Sequence, residues 1–345
     1  MNHPSAATYS PAIRTRRAEL LGISEVRSPF ERGLLPLFEL TRSRRSKKNP
    51  EGSVEFSVDE VVKLVDANLF VVDMTTLDSL SNPQVINLLD PSGYFSNWTS
   101  FVTDKLPETA IPMVHLTDPY DGNSVAAQIA KLKSRHSFLA LRIPSEFGAL
   151  DSLAATISGE LGSMEDVVVY ADVGMVTSRS RFGAEVRVRE VAASFEALSP
   201  AFIAPLASSF PSTVAPYGDA HGGFPLHEVA ISDSLKQEFD ELNCIHGDYA
   251  CIHPLDAQGM AINWVPRVDV PLEDSLYYYR YRRNEGSYAR AAADAIRDKH
   301  YISLPCWAHD NLLAAAKGAP LGKSPAHWIS VRLNYHIERQ LQRLA

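Results

Sequence analysis

The chain has 345 residues, 45% hydrophobic and 21% charged, with 41 acidic against 33 basic side chains, 3 cysteines and a formal net charge of −8. That balance is globular and excludes a disordered, collagen-like or disulfide-stapled protein, and so few thiols are expected to be reduced, in a cytoplasmic setting. No apolar run reaches the roughly 18 residues of a membrane span, the opening MNHPSAATYSPAIRTRR lacks the apolar core of a secretory signal, and the acidic total argues against indiscriminate nucleic-acid binding.

From the N-terminus, residues 1–8 read as disordered and Glu19–Val26 as a short helix, so that 1–30 forms an N-terminal segment packed on the body of the protein. Strand-like segments then recur at Leu34–Thr41, Asn68–Thr75, Ile111–Thr117, Ser137–Pro144, Val167–Asp172, Ala201–Leu206, Asn243–Ile252 and Ser275–Arg283. Several are near-continuous apolar runs, as in strands buried on both faces of a parallel sheet. Between them lie helical patterns: a stretch opening at Ser57 with Glu60 at capping-box spacing, then Ser124–Ser134, Ser152–Leu161, Ala184–Leu198, Leu226–Leu242 and Ser287–Arg297. Eight strands alternating with helices predict an α/β fold, a (β/α)8 TIM-like barrel over residues 31–305. An open doubly wound sheet is the alternative, weakened by the lack of a Gly-rich turn after the first strand. Cys306–Lys317 and Ser324–Leu344 read as C-terminal helices packed on the barrel, the second started by the cap Ser324 and Pro325. The whole, 1–345, is expected to be a single structural domain.

In such a barrel the C-terminal strand ends build the active site. Reading that position along the chain gives Glu39, Asp73, His115, Arg142, Asp172, Ser208, Asp248 and Arg280 with Arg282. Charges inside apolar strands are costly unless paired or hydrated, so they persist where function needs them. The candidate catalytic set is therefore Glu39, Asp73, His115, Asp172 and Asp248. The four carboxylates among them are also the candidate ligands of a hard divalent ion, Mg2+ or Mn2+. Ser208, Tyr249, Arg142, Arg280 and Arg282 would bind the substrate. The competing view is a structural salt-bridge layer, with Arg142 held between Asp172 and His115.

The strand ends lack a lysine, and the chain lacks a Gly-x-Ser-x-Gly elbow, an HExxH helix, a P-loop and a CxxC pair; the carboxylates and histidine suit metal-assisted hydrolysis of phosphodiester type, or equally a general acid and base for glycoside cleavage. The basic loop Arg42–Lys48 follows the first predicted strand, and Arg280, Arg282 and Arg283 close the eighth. A closed barrel would place those two groups side by side, a rim suited to a nucleotide or nucleic acid, or simply solvated surface. Cys244, Cys251 and Cys306 read as small buried residues without an adjacent base. His246 and His253 read as ordinary strand residues, and Trp328 and Tyr335 as helix residues docked on the core.

Tyr9-x-Pro11-x-x-Arg14, Pro36-Leu37-Phe38-Glu39, Gly247-Asp248-Tyr249 and the later Trp328 and His336 together resemble the beta protein family, a bacterial and phage group of about this length. A lysine is usual in that family where this chain has Arg14, which keeps the charge and changes the donor geometry. The resemblance implies the barrel, singles out Glu39, Asp248 and Arg14, the last as a further substrate-binding residue, and names no reaction. It implies an association with mobile-element or phage-defence genes, and hence a protein partner in such a system. Two functions arise as expectations: a metal-dependent hydrolase of a phosphorylated or nucleic-acid ligand, or a non-catalytic recognition subunit.

Overall fold

The sheet begins earlier than the sequence pattern suggests. In the computed structural model, which describes residues 2–256 and 264–345, Ala12–Arg14 (β1) already pairs in parallel with Leu37–Leu40 (β2). Helix α1 (Arg17–Ser24) separates them. Then come α2 (Val54–Val65), β3 (Phe70–Met74), α3 (Pro83–Leu88), α4 (Ser92–Lys105), β4 (Ala110–Val114), α5 (Gly122–Lys133), β5 (Leu139–Pro144), α6 (Leu150–Leu161), β6 (Val167–Met175), α7 (Arg181–Phe195) and β7 (Phe202–Ser208). The seven strands form one parallel sheet in sequence order, each step crossing through helices. This is an α/β architecture in which apolar strands are buried beneath the helices, as their continuous Val, Ile and Leu runs require.

The two edges of that sheet meet the same segment. Ile203 N donates to Asn243 O at 3.0 Å on the β7 side, while Ser10 N donates to His246 O at 2.9 Å and Ala12 N to Asp248 O at 2.8 Å on the β1 side. Residues 243–248 thus bridge β7 to the start of the chain, and the sheet is nearly closed into a barrel-like form. The predicted Asn243–Ile252 stave lies in this position.

The last predicted barrel strand does not belong to the barrel. Ser275–Arg280 (β10) is the central strand of a separate antiparallel sheet, between β8 (His221–Pro225) and β9 (Arg267–Pro271). The aromatic run of β10 signals a strand, but strand propensity does not say which sheet accepts it. The N-terminal segment fills the vacated place. Contrary to the disorder expected over residues 1–8, Pro4–Ala6 forms a 3-10 turn, and the adjoining Tyr9 is fully buried.

Of the remaining helices, α8 (His227–Glu238) follows β8, while α9 (Ser287–Arg297), α10 (Trp307–Ala316) and α11 (Pro325–Arg343) end the chain. The expected cap of α11 forms, with Ser324 Oγ accepting from His327 N at 3.3 Å. At α2 the cap is Ser53, not Ser57, whose hydroxyl instead donates to Thr41 O at 2.8 Å. Helix α11 covers the seam: Leu333, Ile337 and Leu341 join the barrel core with Ile203 and Ile245. It is tied to its neighbours by Asn334 Nδ2 on Gly22 O of α1 at 3.1 Å and by Arg343 on Asp233 of α8 at 3.1 Å. Gly22 lets α1 and α11 approach, since a Cβ there would lie 2.8 Å from Leu333 Cδ2 and from Ser330 O. Trp328 and Tyr335 are buried in a second core with α9 and α10, as expected for docking residues.

Candidate functional site

Register sets the first row of the site. Arg14 lies opposite Glu39, and Glu39 opposite Asp73, across β1, β2 and β3. Arg142 projects from β5 toward the same place and makes four polar contacts. Its Nη1 donates to Glu39 Oε1 at 2.7 Å and to Asp73 Oδ2 at 2.9 Å, its Nε to Asp172 Oδ2 at 2.8 Å, and its Nη2 to Tyr249 Oη at 2.8 Å. Tyr249 Oη in turn lies 2.7 Å from Asp172 Oδ1. Arg14 Nε donates to Glu39 Oε2 at 3.1 Å, and its two terminal nitrogens hold the carbonyls of His253 and Pro254. The segment that leaves the seam is thereby pinned over β1, and Asp256 extends it to Ser79 beyond β3.

The ring is largely self-neutralised. Burial raises the Glu39 carboxyl, but the Arg142 and Arg14 charges outweigh that and hold it below the usual carboxylate range. Glu19, buried behind Arg14 and accepting its backbone N–H at 2.8 Å, is pushed up by burial against the pull of Arg14. For Arg142, burial is overcome by Tyr249 and the three carboxylates, and the guanidinium stays charged. The second oxygens are also engaged: Asp73 Oδ1 accepts Met74 N at 2.7 Å and Asp172 Oδ1 accepts Gly174 N at 3.0 Å.

His115 stands beside the ring, its Nδ1 3.9 Å from Asp73 Oδ1 and its imidazole packed on Trp98 and Phe95. Burial drives its pKa down against the attraction of Asp73, so the imidazole is neutral, and its Nε2 is buried without a partner. Of the predicted site, the structure therefore brings together Glu39, Asp73, Asp172, Arg142, Arg14 and Tyr249, with His115 at the edge.

Asp248 faces a different cluster. Tyr9 Oη donates to its Oδ1 at 2.8 Å, Ala250 N donates to the same oxygen at 2.8 Å, and His336 Nε2 lies 2.6 Å from its Oδ2. His246 Nε2 is 3.4 Å away. Burial raises the Asp248 carboxyl, but His336 and His246 hold it well below the carboxylate range, and His336 is held well above the imidazole range although burial opposes its charge. Cys251 Sγ sits 3.1 Å from His336 Nδ1. This base adjacent to a cysteine comes from a helix 85 residues away, beyond the reach of local sequence spacing. Burial raises the Cys251 thiol, which marks it as an inert core residue, and all three cysteines are buried. Glu228, also fully buried here, is pushed up to about 7 by burial. The cluster clamps α11 to the seam. Tyr9, His246, Glu228 and Cys251 carry no local pattern that would have assigned them to it.

The remaining candidates lie apart from both clusters. Ser208 Oγ donates to Ile252 O at 2.9 Å and accepts Phe210 N at 3.1 Å, so it anchors the segment after the seam. His253 Nδ1 lies 2.9 Å from Phe210 O. Arg280 ends β10 and Arg282 comes two residues later, both in the small sheet region rather than in the ring. The basic loop Arg42–Lys48 does stand after β2, with Arg44, Arg45, Lys47 and Lys48 exposed. It is not joined to Arg280–Arg283 through adjacent strands, because β10 is not a barrel strand. Arg42 Nη2 donates to Ser79 O at 2.9 Å, and burial together with the neighbouring Arg45 charge lowers its pKa. Among the described residues, no group of three or more His, Cys, Asp or Glu side chains is placed to hold a metal ion, and no helix is long and apolar enough to cross a membrane.

Comparison with known proteins matches the family described as "Beta protein" to residues 9–342. The chain is 26% identical over 339 residues to "Protein beta" of Enterobacteria phage P4, covering 97% of this chain and 93% of the relative. Among solved structures, an endoglucanase covers 71% of this chain and 89% of its own at 8% identity and a TM-score of 0.38, too distant to bear on chemistry.

Proposed function

The chain belongs to the Beta protein family, and from that premise we propose that it is a recognition protein that binds an anionic, phosphate-bearing ligand such as a nucleotide beside the ring. One observation carries this reading. Each strand-end carboxylate of the ring is already engaged by Arg142, Arg14, Tyr249 or a backbone N–H. Carboxylates so occupied are poor ligands for a hard divalent ion, which competes for the same lone pairs. They form a rigid scaffold, and the unneutralised charge lies outside it, in the exposed loop of Arg44, Arg45, Lys47 and Lys48. A subunit of this kind would report ligand binding to a protein partner.

The test is calorimetric titration of nucleoside di- and triphosphates into the purified protein, with EDTA or with Mg2+ or Mn2+. The expected result is metal-independent binding without turnover. It should be lost when Arg44, Arg45, Lys47 and Lys48 are all replaced by Gln, and it should weaken with salt as ionic contacts are screened. Turnover that requires the divalent ion would overturn the proposal in favour of a hydrolase.

A further inference from the structure

The small antiparallel sheet gathers a second group of side chains that the ring does not use. Register places Arg280 opposite Arg267 and Tyr279 opposite His221. Arg280 N donates to Ala220 O at 2.8 Å and Tyr281 N to Pro266 O at 3.1 Å. Three stretches therefore meet at one end of the sheet: Ala220 before β8, the approach to β9 through Trp264, and the exit of β10 through Arg282 and Arg283.

This end presents one large aromatic face to solvent. Trp264 is 37% exposed and is braced from one side. The Arg283 guanidinium lies 4.9 Å from the centre of the Trp264 ring, whereas the exposed Tyr217 leans on Phe224, which pairs with Leu276 toward the other end of β10. At the exit of β10 Arg290 stands 4.1 Å over Tyr281. The buried carboxylate at this end, Asp269, is engaged by both Arg267 and Arg332 at 2.8 Å. Its charge is therefore satisfied internally and does not offset the exposed Arg282 and Arg283. Of the surface acids here, Glu285 is turned back to accept Arg282 N at 2.9 Å, Asp294 pairs with Arg290 at 3.7 Å, and Asp219 remains.

We propose that this end of the small sheet is a platform for single-stranded nucleic acid. An unpaired base would stack on the open face of Trp264, while Arg282, Arg283 and Arg280 contact the flanking phosphates. An exposed aromatic face set among arginines suits a strand whose bases are free to stack, because every base has a π-face. A duplex hides those faces, and an acidic peptide has no use for them. The platform is distinct from the basic loop after β2 and does not depend on nucleotide binding beside the ring.

The test is fluorescence anisotropy of the full chain with labelled 15-mer oligo(dT) and oligo(rU), with a duplex of equal length and with a polyglutamate peptide. Single strands should bind more tightly than either control. Trp264→Ala should weaken them about 5- to 150-fold, whereas Trp264→Phe, which keeps a stacking face, should retain most of the affinity. Arg282→Ala with Arg283→Ala should flatten the slope of log affinity against log salt by about 1.4. In a protein with Arg44, Arg45, Lys47 and Lys48 replaced by Gln, Trp264→Ala should still weaken oligonucleotide binding by the same factor, so failure here is separable from failure of nucleotide binding by the β2 loop. Equal affinity for the duplex or the polyglutamate, or Trp264→Ala binding like the parent, would overturn the proposal. Far-UV circular dichroism of each variant shows that the fold is retained.

Discussion

Arg142→Met keeps the aliphatic stem and removes the charge that three carboxylates share. The parent guanidinium contacts Glu39 at 2.7 Å, Asp73 at 2.9 Å and Asp172 at 2.8 Å. Without it Glu39 retains Arg14 at 3.1 Å, and Asp172 retains Tyr249 at 2.7 Å. Asp73 is left with Met74 N at 2.7 Å and a neutral His115 at 3.9 Å. Removing one partner of a buried ion pair costs about 3–5 kcal/mol. The side chains of Arg142 and Asp172 are still 14% and 16% exposed, so water offsets part of the loss. The expected destabilisation is therefore at the lower end of that range, about 3 kcal/mol. The pH dependence has a definite sign. In the parent the Glu39 pKa is lowered, so its contribution is complete above the unfolded carboxylate pKa and fades as pH falls. In the variant the three carboxylates repel one another without a shared cation, and that repulsion is relieved in acid. Both effects narrow the gap in acid. Urea unfolding at pH 7.5 and pH 4 measures it. A loss below about 1 kcal/mol, where exposed pairs lie, or a gap that widens in acid, would refute the shared-cation account of the ring.

Asp248→Asn should cost about 3–5 kcal/mol at neutral pH, because it strands a buried His336 charge. The parent's Asp248 contribution should be lost as pH falls through its lowered pKa, and the His336 contribution as pH rises through its raised one. Urea midpoints across pH 6 to 9 should therefore decline toward alkali in the parent and stay flatter in the variant. Gly22→Ala should destabilise by about 1–3 kcal/mol, as overpacking does, since its Cβ would meet Leu333 and Ser330 at 2.8 Å; thermal unfolding reports it, and an unchanged midpoint would mean that α1 and α11 slide apart freely. Tyr249→Phe removes the hydroxyl that joins Arg142 to Asp172 and should cost about 1–3 kcal/mol by leaving buried polar atoms unpaired, with near-UV circular dichroism confirming an intact core.

The ring was largely legible because it depends on local features. Glu39, Asp73, Arg142 and Asp172 each come after apolar residues in the later part of a strand, and parallel pairing carries those parts to one end of the sheet whichever residues lie between them. Asp248 obeys the same local rule and still joins another cluster. It terminates the segment at the seam, where α11 rather than the ring supplies its partner. Cys251 looks solitary in the sequence for a similar reason, since its histidine arrives from α11.

Written into the linear chain are the alternation of apolar strands and amphipathic helices, several helix ends and caps such as Ser324, and the charged residues at strand ends. All of these are encoded within a few residues, where periodicity and capping act. Packing in three dimensions selected Ala12–Arg14 over Ser275–Arg280 for the parallel sheet and laid α11 across the seam. Packing also neutralised the strand-end acids with Arg142 and Arg14. A strand signal is satisfied by any free sheet edge, and a buried charge by any counter-charge brought within reach. Which edge and which charge are chosen depends on contacts between residues far apart along the chain.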